Sequence, residues 1–291
     1  MGSLNGRVAI ITGAGRGIGR EHALFFAAEG AKVVVNDLGG ANDGTGADMT
    51  PAQQVVAEIE ALGGEAVVNG DNVADWEGAQ RMINQAVEAF GDLDILVNNA
   101  GILRDRVLVN MTEEEWDAVI AVHLKGHFAP SRWAAAYWRE QHKAGVIKPR
   151  NIVHTSSTSG LFSNPGQANY GAAKTGIATF SQIIAKELVR YGVKSNTIAP
   201  GARTRLTLAT PGLEDIMKPK EGSFDPWDPA NISPLVAYLA SEQCAFTGET
   251  FLVQGGAVTM VESWKRGDGV ERDSKWTVDE LAEALAPLTR S

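Results

Sequence analysis

Thr12-Gly13-Ala14-Gly15-Arg16-Gly17-Ile18-Gly19 follows the apolar run Arg7 to Ile11 and opens a helical pattern that continues through Glu29. Glycines at a strand-to-helix junction permit a tight turn, close approach of backbone to a pyrophosphate, and close packing of helix on strand. The helix N-terminus adds unpaired N–H groups and positive potential. The spacing is Gly-x3-Gly-x-Gly: Ile18 stands where the last glycine of GxGxxG would fall, and the lysine of a P-loop is absent. Alone, such a run also suits a purely structural turn. As a cofactor cradle it would use Gly13, Gly15, Arg16, Gly17, Ile18 and Gly19.

Outward from this turn, short β-branched runs alternate with longer amphipathic stretches, the pattern of βαβ units around a parallel sheet. Seven strands are expected: Arg7 to Ile11, Lys32 to Asn36, Ala66 to Asn69, Ile95 to Asn98, Asn151 to Thr155, Lys194 to Ile198 and Thr250 to Val253. Each is nearly continuously apolar, as a sheet covered on both faces requires. The expected fold is therefore α/β, a Rossmann-type doubly wound seven-stranded parallel sheet in one dinucleotide-binding and catalytic domain with a core of about residues 5–256. Three segments break the rhythm. Leu38 to Thr50 is a Gly/Asn/Asp-rich loop, with Thr50-Pro51 as a helix entry. Pro200 to Ala230 holds five prolines and is too long for an ordinary connector, so it is expected to be a lid. Val258 to Ser291 reads as a C-terminal extension, charged over Glu262 to Lys275 and amphipathic over Val278 to Leu288, placed to cover a pocket or a partner surface.

Composition narrows the function. Of 291 residues, 44% are hydrophobic and 21% charged, enough to enclose a large core. The formal charge of -9 disfavours a nucleic-acid partner. The lone Cys244 makes no intrachain disulfide or cysteine-built zinc site, and the five histidines are read as showing no HxxxH pairing, with His22 as a packing residue and His127, His142 and His154 without ligand-spaced partners, so no metal is expected. No signal-like or membrane-spanning apolar run is expected, and Leu288 to Ser291 is not a Ser-Lys-Leu address, which points to the cytoplasm.

The second expected strand ends at Asn36-Asp37, and Asp37 lies 18 residues past Gly19, close to the spacing at which a carboxylate meets the adenosine ribose. Accepting from both ribose hydroxyls and repelling a 2'-phosphate, it favours NAD over NADP; Arg16 argues the other way and is given less weight. Asn72 and Val73 follow the third strand, where an amide or backbone group could meet the adenine edge. Asn98, Asn99, Ala100 and Gly101 follow the fourth. All lie at strand C-termini, where open α/β sheets hold ligands.

Tyr170 and Lys174 stand four apart on a helical pattern, hence on one face, and Ser157 lies thirteen residues upstream in Thr155 to Gly160. A phenol of pKa about 10 is a poor base at neutral pH, and an ammonium about 4 Å away at an effective dielectric of 20 supplies up to about 4 kcal/mol towards its ionisation. A serine hydroxyl can share the substrate oxygen with the phenol. This combination suits oxidation of an alcohol.

Thr12 to Gly19, Asn98 to Gly101, Ser157, Tyr170 and Lys174 together resemble the short-chain dehydrogenase/reductase family over roughly residues 5–256. Val35 to Gly40, Asn99 to Arg106, Val122 to Gly126 and Gly166 to Tyr170 are most similar to its branch containing the (3R)-hydroxyacyl-CoA dehydrogenase part of peroxisomal multifunctional enzyme type 2, also called 17β-hydroxysteroid dehydrogenase type 4, and its bacterial stand-alone relatives. The resemblance implies Tyr170 as acid/base and Ser157 on the substrate oxygen. It implies Lys174 on the nicotinamide ribose, Asp37 on the adenosine ribose, and Pro200, Gly201, Ala202 and Thr204 closing over the nicotinamide and phosphates. His123 stands where most members carry a relay asparagine, and can relay a proton or simply fill space. Basic residues from Arg203 to Lys220 could meet CoA phosphates. The sequence ends without hydratase or sterol-carrier modules, so a single oxidation is expected. The resemblance further implies an acyl-CoA substrate, with free 17β-hydroxysteroid as the competitor, and a homodimer or homotetramer. A non-catalytic NAD-binding module is the remaining alternative, against which intact Ser157, Tyr170 and Lys174 argue.

Overall fold

The computed structural model describes residues 2–208, 212–220 and 222–288, so positions 209–211 and 221 of the expected lid, and the last three residues of the chain end read for a targeting address, lie outside the described residues. The chain divides into two compact units, Met1–Val261 and Glu262–Ser291.

The first unit begins β1 (Val8–Thr12), α1 (Gly17–Ala28), β2 (Lys32–Asn36), α2 (Thr50–Ala61), β3 (Glu65–Asn69), α3 (Trp76–Phe90) and β4 (Ile95–Asn98). It continues with α4 (Glu113–Ile120), a π turn (Ala121–Lys125), α5 (Gly126–Lys143), β5 (Arg150–Thr155), α6 (Thr158–Leu161), α7 (Ala168–Leu188) and β6 (Val193–Gly201). Two short helices, α8 (Arg205–Leu208) and α9 (Leu213–Ile216), precede α10 (Ser233–Ala240), β7 (Thr250–Gln254) and β8 (Ala257–Val261). The sheet order is β3-β2-β1-β4-β5-β6-β7-β8. β1 to β7 are all parallel, in registers such as Ile11 with Val35 and Val97.

The continuous apolar runs are explained by the two covered faces. Ala9, Ile11, Val33, Val35, Ile95 and Val97 pack with Phe26 of α1, Val55 and Ile59 of α2 and Val236 of α10. Their neighbours Val8, Ile10, Val34 and Leu96 point the other way, towards Met82 and Ile83 of α3, Trp138 of α5 and Ile184 of α7. Successive strand residues alternate between faces, so a strand needs no polar position when both are covered. Truncating one of these aliphatics to alanine costs about 2–5 kcal/mol.

Local signals behave as expected at the helix ends. Pro51 sits in the first turn of α2. Thr112 and Glu115 form a reciprocal capping box on α4, Thr112 Oγ1 accepting from Glu115 N at 3.1 Å and Glu115 Oε2 from Thr112 N at 3.0 Å. At the N-terminal edge of the sheet, Asp94 Oδ2 accepts from Val8 N at 3.0 Å while its Oδ1 meets Arg150 and Lys148, each at 2.6 Å. Asp92 joins the same ion cluster.

Two expectations are corrected. Among the described residues the sheet has eight strands rather than seven: the stretch from Val258, read as part of a tail, lies in β8, which turns back antiparallel on β7 through Gly255-Gly256. A two-residue glycine turn between apolar runs is a hairpin signal, and it is the signal available for this strand, whose residues 257–260 are exposed at the sheet edge. β6 also runs past Ile198, so Pro200 and Gly201 end a strand instead of opening the loop. No helix among the described residues is long and apolar enough to cross a membrane. In the second unit, α11 (Val278–Leu285) carries its own Thr277–Glu280 capping box.

Candidate active site

The sheet order reverses between β1 and β4, and the turns leaving these strands open a crevice at their C-terminal ends, the usual ligand position in such folds. A cavity of about 610 Å³ occupies it. Every residue proposed from the sequence as catalytic or cofactor-binding lines this cavity except Gly15 and Asn98. Gly15 N instead donates to Asp37 Oδ2 at 2.7 Å. Asn98 lies buried beneath, its Nδ2 donating to Ser131 Oγ at 2.9 Å and facing His154 Nδ1 at 3.3 Å.

The glycine turn is locked to the β4 turn. Thr12 Oγ1 accepts from Asn99 N and Ala100 N at 2.9 and 3.1 Å, and Asn99 Nδ2 donates to Thr12 O and Gly13 O at 3.0 and 3.2 Å. Gly19 is required by close approach: a Cβ there would lie 2.1 Å from Gly13 O. Asp37 closes the other side, its Oδ1 accepting from Gly39 N at 2.6 Å. Arg16 reaches Gly40 O at 3.5 Å. Asn72 lines the cavity, but its Oδ1 caps its own turn by accepting from Ala74 N at 2.9 Å.

Across the crevice, Ser157 leaves β5 as the cap of α6, its Oγ accepting from Ser159 N at 3.2 Å. The start of α7 is fixed by the buried Asn169, whose Nδ2 donates to Arg104 O and Glu115 O, both at 3.0 Å. One turn on, the fully buried Lys174 donates from Nζ to Thr155 O at 2.6 Å and lies 5.4 Å from the Tyr170 ring centre. The His123 ring meets Tyr170 edge-on, centres 5.0 Å apart.

The short chain dehydrogenase family profile matches residues 7–210. The chain belongs to that family. A short chain dehydrogenase of known structure from Mycobacterium avium is 52% identical, with a TM-score of 0.88, covering 99% of this chain and 95% of that one. A Burkholderia cenocepacia short chain dehydrogenase, solved in complex with NADP, is 29% identical with a TM-score of 0.74 over 87% of this chain and 98% of that one. The hydroxyacyl-CoA dehydrogenase ChsB1 of Mycobacterium tuberculosis is 46% identical over 89% of this chain and 80% of its own length. Peroxisomal multifunctional enzyme type 2 of Drosophila melanogaster is 44% identical over 93% of this chain, which spans 42% of that enzyme.

As a member of this oxidoreductase family, the chain has a site whose electrostatics differ from the sequence-based expectation in one respect. The neighbouring ammonium does not by itself acidify the phenol. Burial pushes Tyr170 up to about 12, against a downward pull from the Ser157 hydroxyl and with a further upward push from Asp105. Burial brings Lys174 down to about 7. The physical reason is that removal from water penalises each charged form, while the ammonium is bonded to a carbonyl of β5.

The histidine reading also needs correction. His123 and His127 do stand at HxxxH spacing, yet they make no metal pair: His127 Nδ1 donates to His123 O at 2.7 Å, and His123 Nε2 meets Ile102 O at 2.7 Å. Among the described residues no three His, Cys, Asp or Glu side chains converge on a metal position. His22 is fully buried against Ser233, with Nδ1 2.9 Å from Oγ. Arg203, considered for CoA phosphates, is held by Asp225 at 2.5 Å.

Sequence reasoning missed Gln167 and Asp105. Gln167 lines the cavity between Asn164, which donates to its Oε1 at 2.9 Å, and Asp105, which accepts from its Nε2 at 2.7 Å. Gln167 lies one helical turn before Tyr170, a spacing that could have flagged it. Asp105, raised by burial against the pull of Gln167, is joined by a contact across 62 residues that no local pattern encodes. The apolar wall of Ile102, Leu103, Leu206, Met217 and Trp227 was likewise not anticipated.

Proposed function

We propose that this chain is an NAD-dependent dehydrogenase that interconverts a (3R)-3-hydroxyacyl-CoA and the corresponding 3-oxoacyl-CoA, in fatty-acid or steroid side-chain breakdown. The observation that carries this reading is the convergence of Ser157, Tyr170 and Lys174 on the same cavity as Asp37 and the glycine turn. The residues fit a nicotinamide dinucleotide: Gly19 lets the start of α1 pack against the Gly13 turn where a Cβ would clash, Asp37 presents a carboxylate at the adenosine end, and Lys174 commits one of three donors to Thr155 O. When bound, the nicotinamide supplies the hydride acceptor for the carbinol carbon.

Within the chain, Tyr170 takes the hydroxyl proton during oxidation and returns it during reduction. Ser157 donates to the same substrate oxygen, stabilising the charge that develops there. Lys174 holds the nicotinamide ribose and favours the phenolate when the ammonium is present. Glycine-turn and β4-turn residues, with Pro200, Gly201, Ala202 and Thr204, hold the cofactor, and Asp37 favours NAD over NADP. His123 stays neutral: burial holds it well below its usual basicity, and Lys174 lowers it further. It therefore serves as a neutral neighbour that packs edge-on against Tyr170 while its Nε2 pairs with the Ile102 backbone.

The name of the Mycobacterium tuberculosis relative, a hydroxyacyl-CoA dehydrogenase, supports acyl-CoA as the substrate class. Arg205, which lines the cavity and has no carboxylate partner among the described residues, suits an anionic ligand. The same reading takes the chain as one catalytic domain acting as a cytoplasmic homo-oligomer.

Tyr170→Phe should abolish turnover of a (3R)-3-hydroxyacyl-CoA while leaving NAD affinity within about threefold; unchanged turnover refutes the assignment. Initial rates on a (3R)-3-hydroxyacyl-CoA and on a free 17β-hydroxysteroid, each with NAD and with NADP, separate the substrate and cofactor readings.

A further inference from the structure

The sheet order places β1 between β2 and β4, so the loops leaving β2 and β4 rise on opposite sides of the crevice, about 10 Å apart. The β2 loop nevertheless reaches the far side. Asn42 O accepts from Leu103 N at 2.9 Å and Asp43 O from Arg104 Nε at 2.8 Å, both donors lying beyond β4. Asn42 Nδ2 donates to Arg205 O at 3.3 Å, and Arg205 Nη2 donates back to Gly40 O at 3.4 Å, tying the same loop to α8. To make these contacts the chain crosses above the end of β1, where the glycine turn sits, and Gly40, Ala41 and Gly44 accordingly line the cavity.

The loop is bonded to cross as one piece. Its base is closed by Asp48 N donating to Leu38 O at 3.0 Å, and its tip by Ala41 N to Thr45 O at 2.7 Å and Gly44 N to Ala41 O at 3.0 Å. Asp43 Oδ1 accepts from Thr45 N and Thr45 Oγ1, at 3.0 and 2.8 Å. Gly39, at φ +75°, lets the two limbs touch: a Cβ there would lie 1.6 Å from Asp48 O. Asp37 at the end of β2 accepts from Gly39 N, and Asp48 Oδ1 accepts from Thr50 N at the start of α2 at 2.9 Å, so both limbs are anchored. Such a unit swings as a body about its base, and doing so breaks only the bonds at its far end. The shortest of those comes from a charged donor, Arg104. That side chain is 18% exposed, and the Arg104 carbonyl is itself fixed by Asn169 Nδ2 at 3.0 Å. Its ion pair with Glu114, a side chain 85% exposed, adds little.

We propose that this strap, Leu38 to Asp48, is the gate through which the cofactor enters and leaves, and that Arg104 is the positioning residue that keeps it across the crevice. The inference rests on the dinucleotide reading above, since Asp37 and Lys174 both line the cavity that the strap crosses. Arg104 does not line that cavity, so its bond to Asp43 O stabilises the crossed position with or without a ligand. A contact of that kind leaves affinity unaltered and sets the rates. Weakening it raises the population of the open strap, and entry and exit then speed up by the same factor.

Arg104→Met keeps the stem of the side chain and removes the donor. In stopped-flow fluorescence with NADH, the association and dissociation rate constants should both rise about tenfold, the worth of one charged hydrogen bond, while Kd stays within about twofold. Asn42→Ala, which deletes the neutral bond to Arg205 O, should raise both about threefold and decides the matter if Arg104→Met does not fold. Glu114→Gln removes the exposed ion pair but spares the Asp43 bond and should match wild type. Amide exchange at Leu103, whose N–H is bonded to Asn42 O, needs no cofactor and should speed up about tenfold in Arg104→Met. Unchanged rate constants in folded variants overturn the gate, and unchanged exchange overturns the clamp. A dissociation rate that rises alone, with a matching loss of affinity, also overturns the gate, because Arg104 would then be an affinity contact. If the wild type binds NADPH instead of NADH, the same constants are read with NADPH. Binding of neither overturns the dinucleotide reading, and exchange at Leu103 still judges the clamp.

Discussion

Gly19→Ala asks whether the turn after β1 binds a dinucleotide through backbone proximity. The added Cβ would lie 2.1 Å from Gly13 O, 2.5 Å from Asn99 Nδ2 and 2.8 Å from Gly13 C. Since real Cβ atoms essentially never come within 3.0 Å of such neighbours, turn and helix must part by about 0.9 Å, the difference between 3.0 and 2.1 Å. The main obstacle is backbone, so no rotamer change relieves it, and the shift strains the Asn99 bonds that tie the β1 turn to the β4 turn. A displacement near 1 Å in a binding constellation costs about 10²-fold, or about 3 kcal/mol. Gly17→Ala is the control. Its φ of +55° is costly for an L-residue, yet its nearest neighbour, Thr204 Cγ2, is 3.7 Å away. That variant should lose about 1–2 kcal/mol of stability from backbone strain and less than about tenfold in affinity. Calorimetric NAD titrations, with melting curves to confirm folding, supply the comparison. The argument fails if folded Gly19→Ala binds NAD within about threefold of wild type, or if Gly17→Ala loses as much affinity.

Asp37→Ala removes a carboxylate acceptor and should lower the NAD-to-NADP ratio of kcat/KM by about 10- to 100-fold; steady-state kinetics with both cofactors check it. Asp92→Asn tests the ion cluster at the opposite edge of the sheet. Burial alone would raise the Asp92 carboxyl, but hydrogen bonds from Lys148, Arg150, Leu93 N and Tyr137 hold it down at about 2. A depressed carboxylate contributes stability above its unfolded pKa that is lost as pH falls through its folded one. The variant should therefore be about 2 kcal/mol less stable at pH 7, and the gap should close between about pH 4 and 2; urea unfolding across that range measures it. Asp225→Asn weakens the tie to Arg203, whose Nη1 also donates to Met217 O at 2.6 Å. Substrate KM should rise several-fold with NAD affinity unchanged, which initial-rate kinetics read directly.

The sheet was legible because its strands are covered on both faces: an unbroken apolar run such as Val33 to Val35 has few other uses. β8 is a different case: Ala257 to Val261 is an apolar run behind a Gly-Gly turn, and its place as an exposed antiparallel edge on β7 is set by tertiary packing that the sequence pattern alone does not carry. Within the site, turn chemistry and helical spacing are local, so the glycine run, Asp37 and the Tyr170–Lys174 pair could be read from neighbours in sequence. Gln167–Asp105 and the stacked His127 and His154 imidazoles depend on which strands and helices become adjacent. His127 and His154 are 27 residues apart in the chain, and only the packing of α5 on β5 stacks their rings.

Burial and charge attraction act against each other on the catalytic pair, and their magnitudes decide what the chain achieves unaided. With the phenol at about 12 and the ammonium at about 7, moving a proton from Tyr170 to a neutral Lys174 is uphill by about 7 kcal/mol. Attraction between the resulting charges at roughly 4–5 Å and an effective dielectric near 20 returns about 3–4 kcal/mol, which is less than that cost. The ion pair is therefore disfavoured in the protein alone, and Tyr170 rests as a neutral phenol. Any remaining stabilisation must come from groups that lower the energy of phenolate or ammonium without adding bulk between them: the Ser157 hydroxyl on one side, the Thr155 carbonyl on the other, and the charge carried in by an oxidised nicotinamide. Such a site makes its base only when the cofactor is in place, so ionisation of Tyr170 becomes a property of the complex rather than of the folded chain.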